Sequence, residues 1–438
     1  MSKRTCSFIT LGCKVNQYET DFMAQSFMEK GFEVIPLSPE SDYVIINSCT
    51  VTNEADRKSR QMFRKARRIA ETAVIIATGC SIQVAEDKLL SDEIFDFYIG
   101  NGEKEHIAEI IDLIDGERYE SSREKAYWLS HEQLGMKLKN AGKKTRQYIM
   151  VQEGCSNCCT YCKIFHARGT KSVSKPVESV VDEIRHLNQN GTEEFVITGI
   201  NLGEYNDNGR DFYELLLELS KMPEKVRIRI SSLNPEDITP RICEVLNSEK
   251  FCPHLHISIQ SGSDKVLKDM NRKYTHDVIL EAVRKLRERD RLFSVSCDII
   301  VGFPGEQDED FKQTVDLLKA IKPLKTHIFR YSPKKGTPAS RFTEQIDGNE
   351  KRFRAKKLEE ISDEISKEVR NRHIGEKREI IIENTENGRL TGHDEYYLKH
   401  NCDSTLLLSE GKKIRVTVTG INENSEQDEV NSEIENIY

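Results

Sequence analysis

Short runs of β-branched and aromatic residues alternate with helical patterns along the first hundred residues. "CSFITLGC" precedes "QYETDFMAQSFMEKGF", "DYVIINSC" precedes "EADRKSRQMFRKARRI", and "AVIIATGC" precedes a more polar stretch. Continuous apolar strands followed by helices predict a parallel sheet covered on both faces. Each of the three runs ends in a cysteine: Cys13, Cys49 and Cys80. In an open α/β sheet the loops at the carboxyl ends of the strands share one edge, where ligands bind. Cysteines about 30 residues apart in sequence are thereby brought together, as one three-thiolate site; taken singly, each also reads as a small residue at a tight turn.

Residues 101–146 are polar, hold the only tryptophan, Trp128, and read as a connecting helix plus linker. The alternation then resumes, with candidate strands "QYIMVQEG", "EEFVITGI", "VRIRISS", "HLHISIQ", "SVSCDIIVGF" and "KTHIFRYS" separated by amphipathic helices. Six βα units in series predict a partial parallel barrel, whose chemistry belongs to the loops at the carboxyl ends of its strands. A helix carrying Leu358, Ile361, Ile365 and Val369 follows. Beyond it, period-two patterning with glycine turns predicts a small antiparallel barrel. The expected fold is therefore α/β. An N-terminal open-sheet domain occupies 1–115, a linker 116–140, a (βα)6 core 141–371, and a β-barrel with an acidic tail 372–438. Disorder is the expectation for that tail.

The chain has 438 residues, 32% of them charged, and no apolar run long enough to span a bilayer, so a cytoplasmic protein without a membrane partner is expected. Twelve cysteines in a reducing compartment point to metal or redox chemistry rather than disulfides. The net charge of −8 is no veto on nucleic acid, because residues 422–438 carry six acids and no base. Conversely, "RKSRQMFRKARR" at 57–68 holds seven basic residues and no acid, which is either a solvated helix face or an RNA contact. There is no Walker A sequence, no dinucleotide fingerprint after a strand and no long repeat.

"EGCSNCCTYCKIF" (153–165) follows the first barrel strand and sets Cys155, Cys159 and Cys162 in C-x-x-x-C-x-x-C spacing. Three soft thiolates suit three irons of a 4Fe–4S cluster and leave the fourth iron open to a substrate. Zinc closing its shell with Cys158 or His166, and a redox dithiol at Cys159 and Cys162, are the alternatives.

That motif, with Tyr161 before its last cysteine, resembles the radical S-adenosylmethionine (SAM) superfamily. "TLGCKVNQYET", "INSCTVTNEADRKSRQ", "ATGC", "ITGINLG", "RISSLNPED", "HLHISIQSGSDKVLKDMNRKYT", "DIIVGFPGE" and "FRYSPKKGTPAS" extend the resemblance to the radical SAM methylthiotransferases over nearly the whole chain. "TLGCKVNQYE" is most similar to the branch that modifies threonylcarbamoyladenosine at position 37 of tRNA. The resemblance implies that Cys155, Cys159 and Cys162 hold the radical-generating 4Fe–4S cluster and that Cys13, Cys49 and Cys80 hold a second, sulfur-delivering one. It implies a SAM site with Tyr161 beside the adenine and Gly199, Asn201, Ser231, Gln260 and Asp298 at the barrel mouth. Alternatively, Asp298 caps a turn and Gln260 ties down Ser261 and Gly262. The implied reaction inserts a methylthio group at carbon 2 of the base. Its C–H bond is unactivated, which is why a radical from reductive SAM cleavage is needed. The implied partners are the anticodon stem-loop of tRNA, gripped by the basic helix and a C-terminal TRAM domain, and an electron donor such as flavodoxin or ferredoxin. The chain departs from the family at Phe165 and His166, where relatives carry Pro-Tyr, while Ala167, Arg168 and Gly169 are kept. It departs again at "GCSIQ", where an aromatic commonly follows the cysteine. Rival readings are a methylthiotransferase for isopentenyladenosine or a ribosomal protein, and a non-catalytic iron–sulfur or zinc RNA-binding protein.

Overall fold

The computed structural model describes residues 3–437 apart from 86–93, 119, 122–133, 141, 143, 144, 224, 405–407 and 423–427. Most of the expected linker, with Trp128, lies outside the described residues.

The N-terminal strands are β1 (Thr5–Thr10), β2 (Glu33–Val34), β3 (Tyr43–Ser48), β4 (Val74–Gly79) and β5 (Phe97–Tyr98). They form one parallel sheet in the order β2-β1-β3-β4-β5. Helix α1 (Lys14–Glu29) and helix Ile107–Asp115 belong to the apolar core on one face, with Phe27, Ile45 and Ile76. Helix α2 (Asn53–Ile69) covers the other through Phe63 and Ala66, packed with Val44, Ile46 and Ile75. Both faces of β3 are buried, which is why its sequence runs apolar without alternation. Thr52 caps α2, its hydroxyl accepting from the Ala55 amide at 3.1 Å.

The second sheet contains β6 (Arg146–Glu153), β7 (Val173–Ser174), β8 (Glu194–Gly199), β11 (Arg227–Leu233), β12 (Phe251–Gln260), β13 (Ser294–Val301) and β14 (Lys325–Arg330). A two-stranded ribbon, β9 (Asn206–Asp207) with β10 (Arg210–Asp211), lies between β8 and β11 in sequence. The order is β14-β13-β12-β11-β8-β6-β7, all neighbours parallel except β7. This is the expected six-stranded partial barrel, open between β6 and β14. Tyr148, Ser231, His254, His256, Ser296 and His327 line a cavity inside it. Outward residues such as Leu255, Ile257 and Val295 join the core cluster with the surrounding helices.

Helix Gly348–Asn371 leads to β15 (Lys377–Glu386), β16 (Arg389–His393), β17 (Lys399–Asp403), β18 (Lys413–Ile421) and β19 (Glu429–Ile437), a closed barrel in the order β15-β16-β17-β19-β18. Two expectations change here. The acidic tail is not disordered over 429–437: it is β19, with Val430 and Ser432 buried, Glu433 and Glu435 exposed, and Glu429 buried and paired with Lys399 at 2.8 Å. Nor is the barrel wholly antiparallel, because β17 and β19 run parallel.

Candidate functional site

Local backbone geometry brings Cys13, Cys49 and Cys80 to one edge of the N-terminal sheet. Cys13 is the N-cap of α1, Cys49 follows β3 and Cys80 follows β4. Close approach depends on two glycines. Gly12 has φ +117°, and a Cβ there would lie 2.9 Å from Cys49 Cβ; Gly79 has φ +95°, and a Cβ there would meet the Ser48 backbone at 2.4 Å. The Asn16 amide donates to the carbonyls of Leu11 (3.1 Å) and Ser48 (3.0 Å), joining the first two loops. Burial pushes the Cys49 thiol up to about 11, with Cys80 and Cys13 adding to the rise, so the three thiols are electrostatic neighbours.

Cys155, Cys159 and Cys162 share a loop after β6, and each sulfur accepts an N–H. The Asn201 amide donates to Cys155 Sγ (3.6 Å), Arg272 Nη1 to Cys159 Sγ (3.4 Å) and the Ile164 backbone to Cys162 Sγ (3.3 Å). Burial pushes the thiols of Cys155 and Cys162 up, to about 11 and about 12, with Cys159 contributing to both. Left alone, such thiols stay protonated at neutral pH; a bound cationic centre is what ionises them. Donor groups already aimed at the sulfurs suit thiolate ligands. Among the described residues no three His, Cys, Asp or Glu side chains are grouped closely enough to ligate one metal ion, and this holds for both cysteine trios as they stand.

The loop is pinned from several strands. Glu204 accepts from the Ser156 amide (3.0 Å) and hydroxyl (2.8 Å) and from Asn201 (2.9 Å). Asn234 donates to Asn201 (3.0 Å) and accepts from Arg272 Nη2 (2.6 Å). Gln152 accepts from the amides of Ile200 (3.0 Å) and Asn201 (2.7 Å) and donates to the Gly154 carbonyl (2.8 Å). Any Cβ on Gly199 would press on Leu202 and Gln152, so that position serves close packing.

Tyr161 is half-buried, its ring edge-on to Phe303 at 6.5 Å beside an apolar cluster with Val266, Met270 and Tyr331. Gln260 ends β12 at φ +68°, a left-handed conformation that a non-glycine residue adopts at a cost. Ser261 and Gly262 are held by Thr314, at 3.4 Å and 2.9 Å. Asp298 pairs with His256 Nε2 at 3.1 Å rather than capping a turn. Ser231 is buried, and among the described residues its hydroxyl has no hydrogen-bond partner.

Sequence reasoning assigned no role to the group joining Cys80 of the first trio to Glu153, at the end of the strand that leads into the second. Arg168, fully buried, donates from Nε to Cys80 Sγ (3.2 Å), from Nη2 to Asn16 (3.1 Å), and from Nη1 to Glu153 (2.5 Å) and Glu19. Lys104 meets Glu19 at 2.5 Å. Burial opposes ionisation of Glu19, yet Arg168 and Lys104 hold its carboxyl down to about 2. The Ala-Arg-Gly run at 167–169 was the available signal. Phe165 and His166 precede it on helix Ile164–Arg168, their rings 4.2 Å apart.

The basic run 57–68 lies on α2 with Arg57, Lys58, Arg60, Arg64, Lys65 and Arg68 exposed. Among the described residues, no helix is long and apolar enough to cross a membrane.

Comparison with known proteins matches residues 149–318 to the Radical SAM superfamily and 5–100 to the uncharacterized protein family UPF0004. The chain is 41% identical over 400 residues, 91% of each chain, to the threonylcarbamoyladenosine tRNA methylthiotransferase MtaB of Thermotoga maritima. It is 38% identical to the protein of the same name in Bacillus subtilis, over 90% of this chain and 89% of that one. Among solved structures, the radical SAM methyltransferase TsrM of Kitasatospora setae, with cobalamin and a [4Fe-4S] cluster bound, superposes with a TM-score of 0.60 at 16% identity. The match covers 77% of both chains and is a likeness of fold.

Proposed function

This chain belongs to the threonylcarbamoyladenosine tRNA methylthiotransferases, and from that premise we propose how its residues divide the reaction. The enzyme modifies threonylcarbamoyladenosine in tRNA by radical SAM chemistry, with SAM and two 4Fe–4S clusters as cofactors. When bound, one cluster with SAM supplies the hydrogen-abstracting radical and the other supplies the point of sulfur delivery.

Cys155, Cys159 and Cys162 hold the first cluster, and the N–H groups of Asn201, Arg272 and Ile164 stabilise the charge on their sulfurs. Tyr161, Gly199, Asn201, Gln260 and Asp298 form the SAM side of the barrel mouth, while Ser231, which lines the cavity inside the barrel, lies on the substrate side. Tyr161 with Phe303 and Tyr331 keeps that region dry. Cys13, Cys49 and Cys80 hold the second cluster. The observation that carries this reading is Arg168: one guanidinium bonds Cys80 of the first domain and Glu153 at the end of β6, fixing sulfur delivery relative to the radical source. On this reading the functional units are 1–115, 141–371 and 372–438, with 116–140 as the linker in sequence between the first two. The target is adenosine 37 of the anticodon loop, a single-stranded base that can be splayed out. The exposed face of α2 and the C-terminal barrel grip the stem through phosphates. A low-potential protein such as flavodoxin or ferredoxin supplies electrons in the cytoplasm.

Anaerobic reconstitution should load about eight irons per chain, and Cys49→Ala or Cys159→Ala should each remove about half. Nucleoside mass spectrometry of tRNA from cells lacking the gene should show threonylcarbamoyladenosine without its methylthio group, restored by the wild type and by neither variant. Loss of methylthio-isopentenyladenosine instead would overturn the substrate; a chain holding one zinc and no iron would overturn the chemistry.

A further inference from the structure

The cavity inside the partial barrel, about 90 Å³, is lined by Lys14, Arg146, Arg229, Ser231, His256 and Tyr397 among others. It has room for a few water-sized groups, a short polar arm and not a purine. Its charged walls are almost all engaged. Arg146 meets Glu383 at 2.8 Å, Arg229 meets Glu194 at 2.5 Å, and the carboxylate of Asp298 is taken by His256.

Among the lining groups that stay open are a cation and a hydroxyl. The Lys14 side chain, which lines the cavity, makes no hydrogen bond or ion pair among the described residues, and the buried Ser231 hydroxyl has no hydrogen-bond partner among them. A cation and a hydroxyl donor lining one small cavity suit a carboxylate, since each bond to the anion is charge-assisted. Lys14 also directly follows Cys13 of the N-terminal trio, so the site adjoins the place where sulfur is delivered. The threonylcarbamoyl arm of the substrate ends in a carboxylate, whereas an isopentenyl arm is wholly apolar. An apolar arm there would leave the ammonium and the hydroxyl desolvated without partners, which excludes it as effectively as the carboxylate is welcomed.

We propose that Lys14, with the Ser231 hydroxyl, binds the carboxylate of the threonylcarbamoyl arm and thereby selects this substrate over uncharged N6-modified adenosines. The proposal rests on the substrate reading above and names the residues that enforce it.

The test uses full-length, anaerobically reconstituted enzyme matched for iron, with synthetic anticodon stem-loops carrying threonylcarbamoyladenosine or its threonine methyl ester. The wild type should prefer the acid by roughly 10- to 100-fold in kcat/KM. Lys14→Gln should treat the two alike at the wild type's rate for the ester, and Lys14→Arg should retain the preference. Ser231→Ala, away from the thiols, should cut the preference several-fold, and it carries the test if Lys14→Gln takes up too little iron. Equal losses on acid and ester in Lys14→Gln, or an acid preference unaltered in Ser231→Ala, overturn the assignment of these residues while leaving the substrate reading intact. A wild type that ignores both stem-loops and methylthiolates an isopentenyladenosine one overturns the substrate reading and this proposal with it.

Discussion

Replacing Glu194 with glutamine removes a carboxylate on which the junction between the core and the C-terminal barrel depends. Its side chain is 1% exposed; Oε1 accepts from Arg229 Nε at 2.5 Å and Oε2 from Arg227 Nε at 2.7 Å. The same guanidiniums reach across the junction, Arg227 to the Glu379 carbonyl (3.0 Å) and Arg229 to those of Glu395 (3.2 Å) and Asp394. Burial works to raise the carboxyl, yet Arg229, Arg227 and Arg146 hold it down from 4.5 to about 2. That difference corresponds to about 3 kcal/mol of stability. Removing one member of a buried charge network costs about 3–5 kcal/mol, a consistent figure. A depressed carboxyl contributes stability that is present above its unfolded value and lost as pH falls through its folded one. The cost of Glu194→Gln should therefore be constant between pH 6 and 8 and shrink below about pH 4.5. Anaerobic urea titrations at pH 7.5 should show a loss of about 3 kcal/mol, with hydrogen exchange accelerated across residues 379–395 ahead of the rest. A loss under about 1 kcal/mol, or one that grows on acidification, would refute the reasoning.

Arg168→Met should strip the N-terminal trio of its iron and cost about 3–5 kcal/mol, since Glu153 is left buried without its cation; Arg168→Lys should not rescue, because a single ammonium cannot span Cys80, Glu19 and Glu153. Iron content and urea midpoints read both. Arg60, Arg64, Lys65 and Arg68 on α2 have exposed side chains, so changing them to Gln should weaken tRNA binding and flatten its log–log salt dependence by about 0.7–0.9 for each phosphate left unneutralised, measured by filter binding across a salt series. Burial drives His373 down from 6.5 to about 4, with Arg378 acting the same way and Asp394 against it. The folded chain resists protonating this ring, so stability should fall by at most about 3 kcal/mol as pH drops from about 6.5 towards 4, and His373→Phe should flatten that limb of the melting-temperature profile.

The strands were legible because each is an unbroken apolar run or a clean alternation, and the cysteines were legible because they stand where such runs stop. Two-residue strands such as β2, β5 and β7 carry too little pattern to be read. β19 was missed for a different reason: its acids suggested disorder, yet Val430, Ser432 and Ile434 recur at period two, and the closing strand of a barrel needs only one face apolar. The polar lumen was written in the same code. In "HLHISIQ" the histidines alternate with Leu255 and Ile257, the reverse of a filled barrel whose inward positions are apolar, and the inversion marks a hollow that holds chemistry. What no local pattern discloses is the partnership of Arg168 with Glu19, 149 residues away, or of Arg272 with Cys159, 113 away. Side chains of this kind are isolated charges in sequence and acquire meaning only when the fold buries them, where an unpaired charge is intolerable. The demand for a partner then makes each such arginine a measure of how the domains are set against one another.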